Sequence, residues 1–403
     1  MVANLLVVAF AATPAQDSAV EAAFAGTRHE LRIDEGRLGG SGGELLLNRA
    51  RAARFTLVGE EHGVREVPIL VTALLRNLKP AGYSVLAIEV SPLAARRLAE
   101  TAATPNPRAT LATLFRDTRN RVPFYTMAPE TDLLAWAISR DGGGLALWGL
   151  DYEIFADRYW LGRLESMAGV QARPAVRAAR AVAESGFARA ERGDPSQVFS
   201  FNAPESLFVA VRRAVRPRAG TDAALILDVL ETTVAINRPF LAGKNYESNR
   251  LRSDNLKRNF LRAWTDPRVS RQPPKVLFKF GAYHMDRGLN GVRQYDVGWL
   301  AAAMAESRGE RSFHLLVVGG PGTQHSVFDI RKLAYAPRPV EWIAAPWLAA
   351  ARSSLKTDGF AVFDLEPLRA LVQDKKLRNL PDELVRMIFG FDVLVVLTGS
   401  GPA

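Results

Sequence analysis

The feature that most constrains the fold is a repeated alternation of short apolar runs and longer amphipathic segments. The apolar run Phe55–Val58 precedes VPILVTALLRNLKPAG, where apolar residues recur at spacings of three and four, a pattern typical of a helix. The run SVLAIEV is followed by PLAARRLAE, and the helical DLLAWAIS by LALWGLDYE. Because the runs are apolar almost throughout, both faces of their strands should be covered. The pattern predicts an α/β protein with a mainly parallel sheet flanked by helices.

The middle of the chain lacks this alternation. From about residue 159 the apolar spacing is helical, as in RPAVRAARAVAESGFARAERG and DAALILDVLETTVAIN, and strand-like runs return only with PKVLFKFGAYH. A Gly/Ser-rich sequence, RLGGSGGE, is expected to join a terminal segment to the core. We therefore expect a signal segment and N-terminal arm over residues 1–24, a first half of the α/β core over 25–158, a helical insertion or cap over 159–265, and a second half of the core over 266–403.

The charge balance and the lack of cysteine limit the classes of function. A formal net charge of +10 favours anionic partners, but the basic residues are scattered and form no nucleic-acid motif, so no nucleic-acid partner is expected. The absence of cysteine excludes thiol nucleophiles, disulfides and thiolate metal sites. No segment after the N-terminal run reaches the about 18 uninterrupted apolar residues needed for a transmembrane segment. A small-molecule substrate is the expected partner, and the sequence leaves the oligomeric state open.

The N-terminal run MVANLLVVAFAATPAQ resembles a secretory signal. It joins an apolar stretch to small residues, although the positive residues that usually precede such a stretch are missing. On this pattern the protein is expected to be exported, to the periplasm or outside the cell. If the run is instead an ordinary strand, the expected location is the cytoplasm.

Titratable residues follow four of the predicted strands. In open parallel sheets, functional groups gather just beyond the carboxyl ends of the strands, where the loops converge. We therefore expect these residues to line one cleft. In chain order they are Glu60, Glu61 and His62, then Glu89, then Asp151 and Glu153, then His284 and Arg287.

His62 is the residue best suited to act as a general base. Glu66 lies four residues later and would share a helical face with it if a helix began at Gly63. Either Glu66 or Glu89 would hold the imidazole in one tautomer and raise its basicity. His284 would then serve as an acid, an oxyanion donor or a metal ligand. The alternative is that each histidine is a hydrogen-bonded structural residue, as we expect for His29, His314 and His325.

Substrate contacts are expected from a second set of charged residues. Arginine offers planar, bidentate binding to a carboxylate or a developing oxyanion, and three arginines are candidates: Arg65, Arg252 and Arg287. Glu60 and Asp151 complete the set, although Asp151 is equally suited to cap the following helix.

Two common functional motifs are absent from the sequence. HGVRE lacks the second histidine of a zinc-protease helix. The GGPG sequence is not followed by the lysine and Ser/Thr of a phosphate-binding loop.

The ordered set of motifs resembles the erythromycin esterase-like family, within a superfamily that includes the haem-binding ChaN-like proteins and the Tiki/TraB-type proteins. The stretch LVGEEHGVRE is similar to the family signature, in which Gly-Glu is followed by His-Gly and a further glutamate. Further similar segments follow in the family's order and extend over most of residues 50–400. They are VLAIEV, LWGLDYE, RSDNLKRNF, VLFKFGAYHMDRG and FDVLVVLTGSGPA.

The resemblance implies a hydrolase in which His62 activates water for attack on an ester or related acyl bond. It implies that Glu66 and Glu89 orient His62, and that His284 and Arg65 bind the substrate carbonyl or stabilise the intermediate. One departure concerns the substrate, because esterases that open macrolide lactones carry an asparagine in the later motif, where GAYH has Gly281 and Ala282. The natural substrate, and whether macrolides are hydrolysed, stays open.

Two other functions are compatible with the same resemblance. One is an exported protein that binds haem or another planar ligand, as in the ChaN branch, and the other is a metal-dependent peptidase of the Tiki type. No cofactor is expected for the esterase. In the metal-dependent case a divalent cation would take His62, Glu89 and His284 as ligands.

Overall fold

A computed structural model describes residues 14–117, 122, 124–266, 269, 273–329, 332–340, 346–355 and 359–403. Residues 1–13 of the predicted signal sequence lie outside these ranges. The strands are β1 Arg28–Asp34, β2 Arg37–Gly39, β3 Phe55–Glu60, β4 Tyr83–Ile88, β5 Ala146–Gly149, β6 Lys275–Gly281, β7 Ser312–Gly319, β8 Gln324–Asp329, β9 Ala334–Pro339, β10 Gly359–Asp364 and β11 Val393–Thr398.

Within these ranges the helices surround a large sheet. They are α1 Pro14–Gly26, α2 Gly40–Ala52, α3 Glu66–Leu78, α4 Pro92–Ala102, α5 Pro107–Arg116, α6 Ala128–Ile138, α7 Asp157–Met167, α8 Arg173–Glu191, α9 Phe199–Asn202, α10 Glu205–Val215, α11 Asp222–Leu241, α12 Asn245–Trp264, α13 Ala282–Met285, α14 Val297–Glu306, α15 Pro346–Arg352, α16 Glu366–Gln373 and α17 Asp382–Gly390. None of them is long and apolar enough to cross a membrane.

The sheet has nine strands in the order β2-β1-β10-β11-β7-β3-β6-β4-β5. The pairs from β11 to β5 are parallel, and β1, β2 and β10 add an antiparallel edge. This confirms the predicted α/β class with a mainly parallel sheet. A separate antiparallel hairpin is formed by β8 and β9.

Both faces of the sheet are buried at its central strands, such as β3, β7 and β11, which explains why these strands read as continuous apolar runs. Successive side chains of a strand point to opposite faces. Accordingly, Val58 of β3 belongs to one apolar core, while Phe55 and Leu57 of the same strand belong to the other. All six residues of β3 are buried. β3 is thus packed on both faces, which fixes the position of the residues that follow Glu60.

The helices from α7 to α11 share an apolar core of their own, with members such as Trp160, Leu164 and Leu230. Helix α12 instead packs against the sheet. Its Phe260 ring meets the rings of Phe55 and Phe278 edge-on, at centroid distances of 5.6 and 5.2 Å. This packing fixes α12 against the sheet and determines where its amino-terminal half lies.

The glycine-rich sequence near residue 40 is not a joint. β1 pairs with β10 in the main sheet, and α2 begins at Gly40, so the segment is part of the core layer. Gly40 has a φ of +76°, and a Cβ there would lie 2.4 Å from the carbonyl oxygen of Glu30. Glycine is required for this close approach of a helix to a strand.

Candidate active site

The predicted strand-end residues meet at the carboxyl ends of three neighbouring strands, β3, β6 and β4. Glu60 ends β3 and is in register with Gly281, which ends β6. Glu89 directly follows β4, and His284 lies on the short helix α13 that follows β6. The order of the strands in the sheet therefore brings together residues that are far apart in the sequence.

His62 lies between two carboxylates. Its Nδ1 is 2.7 Å from Glu60 Oε1, and its Nε2 is 3.3 Å from Glu89 Oε2. Burial disfavours the imidazolium, but attraction to Glu89 and the bonds to both carboxylates outweigh it and raise the pKa of His62 to about 9. The ring of Phe124 stacks on the imidazole at a centroid distance of 3.8 Å. The His62 side chain remains 27% exposed, so solvent reaches it.

His284 approaches the same glutamate from the other side. Its Nε2 is 3.6 Å from Glu89 Oε1, and its Nδ1 is 2.9 Å from Asp296 Oδ2. Burial and the neighbouring Arg252 oppose protonation, yet Asp296 and Glu89 outweigh them and raise the pKa of His284. Each imidazole is thus held by one carboxylate at Nδ1 and directs Nε2 to Glu89.

Glu89 is an ionised carboxylate, and both of its oxygens accept hydrogen bonds. Its Oε1 accepts a hydrogen bond from Arg252 Nη2 (2.6 Å), and its Oε2 accepts one from the backbone N–H of Gly281 (2.6 Å). Burial favours the neutral acid, but His62, His284 and Arg252 hold the pKa of Glu89 well below its usual range. A Cβ on residue 281 would lie 2.9 Å from His62 Nε2, so glycine at this point of the GAYH motif keeps the space beside the imidazole open.

Arg252 is central to the site, although the sequence pattern gives it no priority over the other arginines. Its Nε is 3.1 Å from Asp151 Oδ1, its Nη2 bonds Asp151 Oδ2 as well as Glu89, and its guanidinium lies 5.0 Å from the ring centre of Tyr152. Asp151 therefore binds Arg252, in contrast to the alternative in which its role was only to cap a helix. The position of α12 on the sheet brings this arginine to the two carboxylates.

Behind Glu60 lies a buried ion pair that the sequence reasoning missed. Lys279 Nζ, in the middle of β6, is 2.8 Å from Glu60 Oε1 and 2.7 Å from Glu130 Oε1 of α6. The Lys279 side chain has no exposed surface. The signal was present in VLFKFG, because a lysine inside an apolar strand must find a buried anion.

Glu66 does not lie beside His62 as expected, and it pairs with Arg65 instead. Gly63 has a φ of +82°, and α3 begins only at Glu66, so His62 does not lie on the helix and the four-residue spacing does not bring the two together. Glu66 Oε1 instead accepts bonds from Arg65 Nε (2.9 Å) and Nη2 (2.7 Å). Glu60, a candidate for substrate contact, takes the orienting position expected for Glu66.

Arg287, expected at the cleft, lies at the other end of the sheet. Its Nη1 and Nη2 bind the two oxygens of Asp392 at 2.9 and 2.7 Å. Asp392 precedes the first residue of β11, which runs parallel to β3, so this pair marks the amino ends of the strands. The buried His314 donates its backbone N–H to the same carboxylate (2.8 Å), in agreement with a structural role.

The residues named as metal ligands do not fit a cation in this arrangement. In the described part of the chain, no three His, Asp or Glu side chains are placed to hold a metal ion. Both oxygens of Glu89 already accept short hydrogen bonds, and one donor is the positive guanidinium of Arg252. A divalent cation would have to displace that arginine.

Solved structures with the same architecture are found, whereas no family model and no curated protein matches the sequence. A histidine-to-asparagine mutant of the erythromycin esterase EreC in its open conformation superposes with a TM-score of 0.64 at 15% identity, over 93% of this chain and 98% of that one. The chain has the erythromycin esterase fold. This confirms the predicted resemblance at the level of the fold.

The erythromycin esterase fold is shared with two further solved proteins. A Bacillus cereus protein superposes with a TM-score of 0.58 at 13% identity over 96% of this chain and 98% of its own. A succinoglycan biosynthesis protein does so with a TM-score of 0.60 at 12% identity over 97% and 99%. The names of the three solved proteins indicate no common activity. The chemistry of this chain is therefore inferred from the residues of its own site.

Proposed function

We propose that the protein is a hydrolase that uses water activated by His62 to cleave an ester or a related acyl bond. The observation that carries the proposal is the convergence of two carboxylate-bound imidazoles, His62 and His284, on Glu89 at a solvent-accessible strand end. The bond class is proposed from the name of one neighbour, an erythromycin esterase.

In this mechanism Glu60 accepts the Nδ1–H of His62 and fixes that tautomer, so that Nε2, which lies beside Glu89, is the nitrogen that accepts a proton from water. Neutral His62 takes a proton from water as the water oxygen attacks the carbonyl carbon, and the carbonyl electron pair moves to oxygen. The oxyanion is stabilised by positive charge on His284 and Arg252. On collapse of the intermediate the bond to the leaving oxygen breaks, and His62 returns its proton to that oxygen.

The test is hydrolysis of a panel of carboxylic esters, monitored by pH-stat, with His62→Ala and Glu89→Gln variants. Each variant should lose roughly 10²- to 10⁴-fold in kcat, the usual contribution of general base catalysis, with the fold retained. His29→Ala is the matched control, because His29 lies on β1, at the far side of the sheet from β3. Full activity in either site variant would refute the mechanism.

Cofactor dependence is tested on the same sample. We expect a chelator to leave the rate unchanged, because Arg252 occupies the place a cation would need. Loss of activity with the chelator, restored by a divalent metal, would instead indicate the metal-dependent peptidase type. A Soret band that grows on titration with haemin would indicate the haem-binding type.

A further inference from the structure

The buried lysine behind the site belongs to a continuous chain of hydrogen bonds that ends on the proposed base. From the interior outward, Glu130 bonds Lys279, Lys279 bonds Glu60, and Glu60 bonds His62, at 2.7, 2.8 and 2.7 Å. Glu130, Lys279 and Glu60 are 1, 1 and 3% exposed. We call this series, Glu130–Lys279–Glu60–His62, the charge chain.

Charges buried this deeply must be compensated. The charge chain joins the rest of the site through Glu89, and the connected groups comprise five carboxyl groups and four basic groups. The carboxyl groups are Glu60, Glu89, Glu130, Asp151 and Asp296, and the basic groups are His62, His284, Lys279 and Arg252. With all four basic groups charged, the network is neutral only if one carboxyl group holds a proton.

Glu130 is the carboxyl group best placed to hold that proton. Its Oε1 accepts the bond from Lys279, while its buried Oε2 has no hydrogen-bond partner among the described residues. Burial, together with repulsion from Glu60, raises the pKa of Glu130 to about 7 against the attraction of Lys279. Glu60 and Glu89 are each held ionised by more than one positive group, Lys279 and His62 for Glu60 and His62, His284 and Arg252 for Glu89.

We propose, building on the proposed function, that Glu130 and Lys279 are positioning residues for His62, which act through Glu60 to set how strongly the imidazole holds its proton. Lys279 holds the Glu60 carboxylate, and that carboxylate holds Nδ1 of His62. Once Glu130 has lost its proton, above about pH 7, its charge balances that of Lys279, and the two side chains together add no net charge beside His62. The residues that control the proton affinity of His62 therefore lie in the protein interior.

The groups that surround the two ends of the charge chain determine the direction of the effect. His62 faces Glu60 from β3 and Glu89 from the end of β4. Glu130 faces Lys279 from β6, and it lies close enough to Glu60, His62 and the Tyr125 hydroxyl for their charges to interact. Because Glu130 is ionised above about pH 7 and His62 titrates near 9, removal of the Glu130 charge must weaken proton binding by His62.

The test is an NMR titration of the His62 ring in the full chain, which requires no substrate. The signal is assigned from its loss in a His62→Gln variant, which is practical in a protein with five histidines. Glu130→Gln should lower the titration midpoint of His62 by on the order of one pH unit, as expected for one charge at this depth. The amide retains an acceptor for Lys279, and among the described residues no donor opposes its nitrogen at the former Oε2, so the fold should be preserved.

A charge-matched double variant separates electrostatics from damage. Lys279→Gln combined with Glu130→Gln again leaves a pair without net charge, so the midpoint should return toward the parent value although packing has been disturbed twice. Glu153→Gln is the control, because Glu153 is an equally buried acid that bonds Trp160 at 3.1 Å, outside the charge chain. It should leave the midpoint unchanged.

Two results would overturn the inference. One is a Glu130→Gln midpoint that equals that of Glu153→Gln, and the other is a double variant that moves further down. If the midpoints behave as expected but no ester is hydrolysed, the charge chain stands and the proposed function fails. If esters are hydrolysed, the rising limb of kcat/KM against pH should move with the midpoint, so that Glu130→Gln is several-fold faster than the parent near pH 8.

Discussion

Asp296 holds His284 through a 2.9 Å contact between Oδ2 and the imidazole Nδ1, and this contact directs His284 Nε2 toward Glu89. The other oxygen of Asp296 accepts the backbone N–H of Val297 at 2.7 Å and so caps α14. The carboxylate is therefore fixed by the helix before it binds the histidine. Asp296 therefore both caps α14 and favours the charged form of His284.

Replacement of Asp296 by asparagine should separate these two functions. The amide oxygen can still cap α14, since asparagine and aspartate are comparable caps, so the melting temperature should change little. The negative charge that favours the His284 imidazolium is lost, and the titration midpoint of His284 should fall. Because an uncharged ring stabilises an oxyanion poorly, kcat should drop about 100-fold or more, with a smaller change in KM.

Steady-state kinetics and an NMR titration of His284 check this expectation. A parent-like kcat combined with a lowered His284 midpoint would show that the charge of His284 has no part in the reaction. As a control, Asp296→Ala should lose both the cap and the charge, and should be less stable by about 1 kcal/mol.

The pH dependence of the reaction follows from the state of His62. A base must be neutral to accept a proton, and the pKa of His62 is raised to about 9. The active fraction should therefore grow about tenfold per pH unit at neutral pH, and the rise of kcat/KM should end near pH 9, or earlier if His284 loses the proton that stabilises the oxyanion. A profile of kcat/KM between about pH 6 and 10 checks this expectation. A plateau that begins near the ordinary histidine value of about 6.5 would contradict it.

The same ionisation affects folding with the opposite sign. A histidine whose pKa is raised on folding stabilises the protein while it is protonated, so this contribution is complete below about pH 6.5 and is lost as the pH rises through about 9. The protein is thus expected to lose stability over the range in which it gains activity.

Much of the fold and part of the site were predictable from the sequence. Apolar runs with helices between them indicate a parallel sheet, and titratable residues placed after such runs must gather at one edge. His62, Glu89 and His284 were predictable for this reason. Asp296 was not, because it follows a loop rather than a strand and reaches the site only through the position of α14.

The remaining differences have local physical causes. A four-residue spacing relates two side chains only inside a helix, and the left-handed backbone at Gly63 delays the start of α3 until Glu66. The sequence does not identify the central arginine, since Arg65 and Arg287 follow predicted strands whereas Arg252 lies in a helical segment. Packing decides between them, because α12 lies on the sheet and brings Arg252 to Glu89, whereas Arg287 binds Asp392 at the opposite end.

Arg252 and Arg287 form a matched pair for a final test, since each guanidinium side chain is 24% exposed and binds a largely buried carboxylate. Substitution of either arginine by glutamine removes one positive charge from such a carboxylate, although Asp392 keeps Arg369 Nη2 at 3.1 Å and Glu89 keeps its two histidines. Each variant should therefore lose about 2 kcal/mol in free energy of unfolding, less than for a fully buried pair because solvent screens both sites. Urea unfolding at neutral pH measures this loss.

Activity should distinguish the two variants. Arg252→Gln removes the positive charge beside Glu89 and His284, so kcat/KM should fall about 100-fold or more. Arg287→Gln should keep the parent kcat/KM, because its partner Asp392 lies at the amino ends of the strands. Equal losses of activity in the two variants would mean that general destabilisation, rather than the position of Arg252, accounts for the effect.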